Sequence, residues 1–499
     1  MNEPNEIGNP AVSIQGPALG AGTITTPLIS AREFRGRAQA AGAKDSPGSQ
    51  RAAFAGLFLF TLLLYIRPNE LFPEVFGTFP LARIVAVLAI LAYVGAKLGG
   101  GERLTIMPLE LKMLGIITLL GVMFAPLSAS PQDSIDVLLD LFLKVGIIFV
   151  LMINVIDSRE RLRSILTLVV ICGTLFAALA IKSYLVGEFT IVEKKDVGVV
   201  GLRITGAVGG FFGNPNDLAT TLNMLLPLAV ALTLLSEGVK RAFYAACAAI
   251  LIGGVIVTFS RGGFLGLLAM GVVLLWKVGS QNRAVTALTF ALIFGVFVIA
   301  MPGGYGGRIS SIFNVAEDKT GSTEARRDLL ERAASVAVHH PIVGVGMGNY
   351  HIYSVHEQVA HNSYLETAAE LGFGGLLAYL VFIFAPLRSL IRIERANATP
   401  KGHSARVGTR DPNRELRYLC IAMQTTLFAY IVCSSFGSIQ YQWFLYYPVA
   451  YAIALRQINA SESASSAVQS VLATSTTERG VLFKKNQIRR AQVSALNKG

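Results

Sequence analysis

The chain has 499 residues, of which 53% are hydrophobic and only 15% are charged. Apolar stretches recur along most of its length, and a helix needs about 20 apolar residues to span a bilayer. This composition excludes a soluble globular fold and predicts an all-α polytopic membrane protein, because helices satisfy their backbone polar groups within each segment. The net charge of +12 does not indicate nucleic acid, since Lys and Arg gather in alternate short loops and in the tails, which is the positive-inside pattern.

Three regions follow one another along the chain. Residues 1–51 are rich in Gly, Ala, Pro and Ser and lack the apolar core of a signal peptide, which predicts a disordered cytoplasmic tail. Residues 52–457 form the predicted transmembrane domain. Residues 458–499 are rich in Ser and Ala and then basic, and we expect a second disordered cytoplasmic tail there.

About twelve membrane-spanning helices are predicted in the transmembrane domain. They lie near residues 52–66, 81–97, 109–127, 137–156, 164–186, 217–235, 242–259, 263–278, 284–301, 364–391, 417–435 and 442–457. An even number leaves both termini on the cytoplasmic side, where the largest loop carries eight basic residues from Arg388 to Arg417. The pattern therefore indicates a multi-pass membrane protein.

Two long loops are predicted on the opposite, outer side of the membrane, at residues 187–216 and 302–363. Within the second, residues 323–338 have a helical pattern and precede Pro341, which terminates a helix. The apolar stripe of this helix consists of Leu329, Leu330, Ala333, Val336 and Ala337, and its expected i,i+4 ion pairs are Arg327–Glu331 and Asp328–Arg332. We expect an amphipathic helix that lies over the membrane helices as a lid or as one wall of a cleft.

Arginines on the outer side of the membrane are the first candidates for chemistry. Arg261 lies in a very short turn where the positive-inside rule disfavours it, Arg203 lies in the first long loop, and Arg326 lies in the second. A guanidinium is planar, permanently charged and suited to bidentate contacts with phosphate oxygens. The alternative for each is an arginine that extends to lipid phosphate groups. We favour an anion-binding role for Arg261 and Arg203, and list Arg326 as a further candidate.

Five of the six histidines lie in or at the end of the second loop. His361 is at the water–lipid boundary, where an imidazole that titrates near neutrality can accept a proton from a hydroxyl. Asn362 beside it is expected to orient a substrate or to cap the next helix, and Asn214 to start a helix or to present a polar group near Arg203. No HExxH or HxxxH spacing is present, so no metal site and no cofactor are predicted. The run from Gly344 to Gly348 is interpreted as a tight turn, because it lacks the Lys-Ser/Thr of a nucleotide loop.

Four motifs in this order resemble those of the O-antigen ligase and polymerase superfamily of bacterial envelope glycosyltransferases. They are GFFGNPNDLA, then SRGGFLGL with Arg261 and Leu265, then HHPIVGVGMGNY, and finally HNSYLETAAELGFGGLLAYL, which begins at His361. The resemblance covers about residues 55–455 and implies a GT-C-like fold of about twelve helices with a periplasmic cleft.

The resemblance also implies the chemistry. A glycan would pass from an undecaprenyl-diphosphate carrier to an acceptor hydroxyl, without a metal ion or a nucleotide sugar and with inversion. Arg203, Arg261 and Arg326 would bind the diphosphate, and His361 would be the general base. A ligase would use lipid A-core as the acceptor and a polymerase a second lipid-linked glycan; we favour the ligase because of the long single loop and the histidine–asparagine pair before the next helix.

A glycolipid transporter is the alternative of another class. Transport would require ionisable residues that face a cavity at mid-membrane, for which Asp140, Lys144 and Lys182 are the candidates. The long loop with its histidines and the scarcity of other charge in the predicted spans favour an enzyme.

Overall fold

The computed structural model describes residues 47–101, 103–194, 198–204, 206, 212–278, 322–397, 412–467 and 469. Apart from Pro47, these residues belong to one compact unit, Gly48–Gly499. Most of both predicted tails, the helix predicted near 284–301 and much of the second periplasmic loop lie outside the described residues.

Twelve helices in the described part of the chain carry the fold. They are α1 (Pro47–Ile66), α2 (Leu81–Gly99), α3 (Leu109–Phe124), α4 (Leu143–Val155), α5 (Arg159–Val186), α6 (Pro215–Leu235), α7 (Gly238–Val257), α8 (Arg261–Val278), α9 (Ser322–His339), α10 (Ser363–Ala396), α11 (Pro412–Cys433) and α12 (443–467). Within the described residues, nine helical stretches are long and apolar enough to cross a membrane. The predicted all-α, multi-pass class is therefore confirmed.

The predicted span near 137–156 is helical but irregular. Its first part, Val137–Phe142, is a π-helix, and α4 continues from Leu143. The last helix, α12, extends to residue 467, beyond the predicted end at 457. The long, uninterrupted spans were predictable from hydropathy, whereas a π-turn depends on local packing that composition does not encode.

A two-stranded antiparallel hairpin follows α5, where the sequence predicted only a loop. Strand β1 (Thr190–Lys194) pairs with β2 (Gly198–Arg203), with an irregularity in register between Val192 and Glu193. Because this is one short hairpin in an otherwise helical protein, it leaves the predicted all-α class unchanged.

Burial divides the helices into inner and outer ones. In the most apolar 18-residue window of each helix, 78% of the residues of α6 and 72% of those of α11 are buried within the protein. The corresponding share is 22% in both α2 and α7. The outer helix α2 exposes large apolar side chains such as Leu88 and Leu91. Such a surface is stable only in an apolar solvent, which agrees with a bilayer around the outer helices.

Ion pairs connect several helix ends on one side of the bundle. Arg456 of α12 forms a bidentate ion pair with the fully buried Glu110 of α3. Its Nη1 and Nη2 donate to Oε1 and Oε2 at 2.8 and 2.9 Å. Lys277 at the end of α8 pairs with Glu394 at the end of α10 at 2.6 Å. These residues all lie at ends that the sequence predicted to be cytoplasmic.

The amphipathic helix predicted in the second loop is present as α9. Leu329, Ala333, Val336 and Ala337 are buried, Leu330 is partly exposed, and the pair between Arg327 and Glu331 forms at 2.9 Å. The expected pairing of Asp328 with Arg332 is wrong, because the Arg332 side chain donates to the Tyr353 carbonyl at 2.6 Å instead. The apolar face of α9 packs against the first turns of α10. A role of α9 as a lid or as one wall of a cleft stays a prediction.

The glycine run after α9 is the tight turn that the sequence predicted. Gly344, Gly346 and Gly348 have φ angles of 70°, 101° and 76°. Val345 and Gly346 donate their N–H groups to the carbonyls of Ala369 and Glu370 in α10, at 2.9 and 3.0 Å. These carbonyls need outside partners because α10 is broken at Gly372, whose φ of 66° and ψ of −176° are not helical.

Candidate functional site

Two helices have their N-termini in contact with the turn between α11 and α12, residues 434–440. Ser363, the first residue of α10, donates its N–H to the Ser434 carbonyl at 2.9 Å. Gly262 in the first turn of α8 lies against the same turn, since a methyl group on it would lie 2.9 Å from Cβ of Phe436. Helices α8 and α10 therefore both begin against this one short segment.

The N-terminus of α6 joins them through its contacts with α8. The Ser260 hydroxyl donates to Asn216 Oδ1 at 2.8 Å. Gly263 approaches α6 so closely that a methyl group on it would lie 2.5 Å from Cβ of Ala219. The aligned peptide dipoles of a helix give its N-terminus roughly half a positive charge, so three such ends in one region favour an anion there before any side-chain charge is counted.

Arg261 is the first residue of α8 and is partly exposed. Ser260 precedes it, and its hydroxyl oxygen accepts the N–H of Gly263 at 3.1 Å, as in a helix cap. The close contacts of Gly262 and Gly263 leave no space for side chains, so the first turn of α8 is fixed in position. The guanidinium of Arg261 therefore extends from a rigid point in this region.

His361 directly precedes the cap of α10 and is partly exposed. Its φ of 52° is in the left-handed region, which costs a non-glycine residue of order 1 kcal/mol. Asn362 fixes the chain on the C-terminal side of His361. Its Oδ1 accepts the N–H groups of Tyr364 and Leu365 at 3.0 Å each, and its Nδ2 donates to the Ser435 carbonyl at 3.3 Å. His361 is thus held beside the same turn against which α8 begins.

Arg203 ends the hairpin, where its backbone pairs with Thr190. Its side chain lies outside the described part of the structure. Further along, the Gly206 N–H donates to the Phe212 carbonyl at 2.8 Å, and the Phe212 ring stacks on Phe176 of α5 with 4.2 Å between centroids. Phe212, just before α6, is therefore packed against the helical bundle.

Arg326 lies on the inward face of α9. It precedes Leu329 by three residues and Ala333 by seven, so it shares their buried stripe. The neighbouring Arg327 points the other way, and its side chain is 80% exposed. Helix geometry therefore separates the two arginines.

Asn214 is the cap of α6, as Asn362 is of α10. Asn214 Oδ1 accepts the N–H groups of Asn216 and Asp217 at 2.9 Å each. The predicted helix-starting role of each asparagine is therefore confirmed. A contact of either side chain with a substrate stays a prediction.

Two buried carboxylates in α10 were not singled out by the sequence analysis. Glu366 is 5% exposed and Glu370 is 2% exposed, one helical turn apart. Glutamates four residues apart in an otherwise apolar helix were the available signal, because buried carboxylates in membrane helices are costly unless they have partners. The sequence did not show their hydrogen-bond partners, of which Ser438, Gln440 and Tyr441 lie more than 70 residues further along the chain.

These carboxylates line a cavity of about 170 Å³ beside α10. The Tyr441 hydroxyl donates to Glu370 at 2.7 Å. Burial first, and then the negative charge of Glu370, raise the pKa of Tyr441 well above its ordinary value, so the tyrosine remains a donor. His351 also lines the cavity, and its Nε2 lies 3.9 Å from the Asp133 carboxylate.

The charged residues that a transporter would use are arranged differently. Lys144 pairs with Asp140 at 2.7 Å, and their side chains are 47% and 77% exposed. An ion pathway needs charges that face an internal cavity. A pair on an exposed face does not fit this requirement. Within the described ranges, no group of three or more His, Cys, Asp or Glu side chains is arranged to hold a metal ion.

Comparison with known families gives one match. Residues 246–380 match the family model described as O-antigen ligase. This match confirms the resemblance to the O-antigen ligase and polymerase superfamily over this segment, and it supports an enzyme of the glycan-transfer type. The matched segment contains Arg261, Arg326, His361 and Asn362; Arg203 and Asn214 precede it.

Comparisons with individual proteins add little. No curated protein matches the chain. One similar solved structure is described as "Structural coordination of polymerization and crosslinking by a peptidoglycan synthase complex". The similarity has 16% identity and a TM-score of 0.39, and it covers 70% of this chain and 97% of that one.

Proposed function

We propose that the protein transfers a glycan from an undecaprenyl-diphosphate carrier to an acceptor hydroxyl at the periplasmic face of the bacterial inner membrane. The proposed acceptor is lipid A-core, which makes the protein an O-antigen ligase. One observation carries the proposal: α8 begins with Arg261, α10 begins two residues after His361, and both helices start against the turn 434–440. A permanent cation and a titratable base therefore belong to one region.

The diphosphate is the group that the cations would bind. Arg261 provides a planar donor for two phosphate oxygens, and the N-termini of α6, α8 and α10 add partial positive charge. Arg203 and Arg326 are the further proposed ligands; Arg326 is supported by its place on the inward face of α9. These fixed charges would stabilise the leaving diphosphate, as a metal ion does in other enzymes.

The proposed reaction is a single displacement. His361, as the neutral imidazole, accepts the proton of the acceptor hydroxyl while its oxygen attacks the anomeric carbon. The bond between that carbon and the diphosphate oxygen breaks, and undecaprenyl diphosphate leaves with the bonding electrons. Attack from the face opposite the leaving group inverts the anomeric centre. The imidazolium then releases its proton to water.

A two-acceptor assay tests this proposal. Purified full-length protein is incubated with undecaprenyl-diphosphate glycan and with both lipid A-core and a second lipid-linked repeat unit. We expect glycan on lipid A-core, with an inverted linkage, in the presence of a metal chelator. Glycan on the second repeat unit would instead identify a polymerase, and transfer to neither acceptor would contradict the proposal.

A further inference from the structure

The backbone of His361 needs support from its neighbours. Its φ of 52° belongs to a region that non-glycine residues adopt only when the surroundings enforce it. Asn362 fixes the chain on the C-terminal side through its cap and through Ser435. The matching contact on the N-terminal side comes from Glu366, one turn into α10.

The Glu366 carboxylate joins the two segments that surround His361. Its Oε2 accepts the N–H of Ala360 at 2.8 Å and a short hydrogen bond from the Ser438 hydroxyl. Its Oε1 accepts from Gln440 Nε2 at 2.9 Å. Glu366 therefore links the residue before His361 to the turn 434–440, against which Arg261 of α8 begins.

We propose that Glu366 is a positioning residue that holds His361 in its left-handed conformation beside the turn 434–440. The importance of this positioning for catalysis rests on the proposed function. The three hydrogen bonds that Glu366 accepts from Ala360, Ser438 and Gln440, which we call the clamp, do not depend on it. The role of Glu366 is to accept three hydrogen bonds, and no proton transfer to the substrate is required of it.

The chain supplies a matched control for this clamp. Glu370 lies on the same helix one turn later and is equally buried. It accepts hydrogen bonds from the Tyr350 N–H at 3.2 Å and from the Tyr441 hydroxyl at 2.7 Å. None of its hydrogen bonds in the described structure reaches residues 360–363, so its loss should leave His361 in position.

A glutamine at position 366 separates positioning from chemistry. Gln440 Oε1 is buried and has no hydrogen-bond partner among the residues that the structure describes. In Glu366→Gln, the Gln440 amide can turn over, so that its oxygen accepts from the new amide nitrogen. The remaining oxygen of residue 366 still accepts from Ala360 and Ser438. Glu366→Gln therefore keeps the clamp but cannot act as an acid or base, whereas Glu366→Ala and the bulkier Glu366→Met remove the clamp.

The experiment follows His361 directly and needs no substrate. Full-length wild-type protein and the Glu366→Ala, Glu366→Met, Glu366→Gln and Glu370→Ala variants are treated with diethyl pyrocarbonate, and modification of each histidine is timed by peptide mass spectrometry. His339 and His340 serve as internal references. We expect the relative rate at His361 to change by about threefold or more in the Ala and Met variants at 366, and to stay at the wild-type value in the other two.

Glycan transfer is then measured on the same preparations. We expect kcat to fall by about tenfold or more in Glu366→Ala, with little change in KM, and to stay near wild type in Glu366→Gln. Unchanged labelling of His361 in both Glu366→Ala and Glu366→Met would overturn the inference. So would a Glu366→Gln variant as inactive as Glu366→Ala, because it would make the carboxylate a chemical participant. If the wild type transfers no glycan while the labelling pattern holds, the proposed function fails and the clamp stands.

Discussion

At the scale of single residues, the sequence located candidates better than it located their supports. Arg261 and His361 stood out because one opposes the positive-inside rule and the other lies at a water–lipid boundary. Both are found where helices begin, with Ser260 and Asn362 as the capping side chains. Glu366 was missed because its partners Ser438 and Gln440 lie more than 70 residues further along the chain.

The bidentate character of Arg261 can be tested by a substitution that keeps the charge. We expect Arg261→Lys to lower kcat/KM for glycan transfer by about 100-fold, because an ammonium group cannot reproduce two parallel phosphate contacts. The matched control is Arg327→Lys on the exposed face of α9, which should behave as wild type. Wild-type turnover by Arg261→Lys would mean that charge alone is sufficient.

At the scale of elements, periodicity predicted most helices and the amphipathic α9, but not the hairpin or the break in α10. The break is stabilised by contacts that local sequence does not specify. Val345 and Gly346, on the glycine turn, bond to the carbonyls of Ala369 and Glu370 that the break at Gly372 leaves free. The sequence contained glycines at both places, but only the folded structure brings them together.

The break gives a prediction about stability. We expect Gly372→Ala to lower the free energy of unfolding by about 1–3 kcal/mol, because its backbone conformation is almost restricted to glycine. Its added methyl group would also lie 2.5 Å from the Ile342 carbonyl oxygen. Thermal unfolding of the purified protein measures this as a lower Tm. Gly374→Ala is the control, since a methyl group there meets nothing within 4 Å; equal Tm values for the two variants would contradict the explanation.

At the scale of the whole molecule, hydropathy and charge predicted the multi-pass architecture, because both follow from the solvent on each side of a bilayer. The ion pairs of Arg456 with Glu110 and of Lys277 with Glu394 join helix ends that were all predicted to be cytoplasmic. Which helices surround α6 and α11 could not be predicted, since apolar surfaces in lipid are chemically alike and their pairing depends on shape.

Orientation in the membrane is testable because the four native cysteines are buried. Val338 in α9 is 66% exposed, and Ser463 near the end of α12 is also exposed. We expect a membrane-impermeant maleimide to label Val338→Cys in spheroplasts, and Ser463→Cys only after the membrane is permeabilised. The opposite pattern would reverse the proposed topology.

The proposed reaction depends most on His361, the base at the end of the second loop. Glycan transfer from undecaprenyl-diphosphate glycan to lipid A-core is compared for purified wild-type protein and His361→Ala, with thermal unfolding recorded for both. We predict that His361→Ala loses transfer while its Tm stays close to that of the wild type, because the histidine is partly exposed and the cap by Asn362 is retained. Full transfer by His361→Ala would contradict the proposed mechanism.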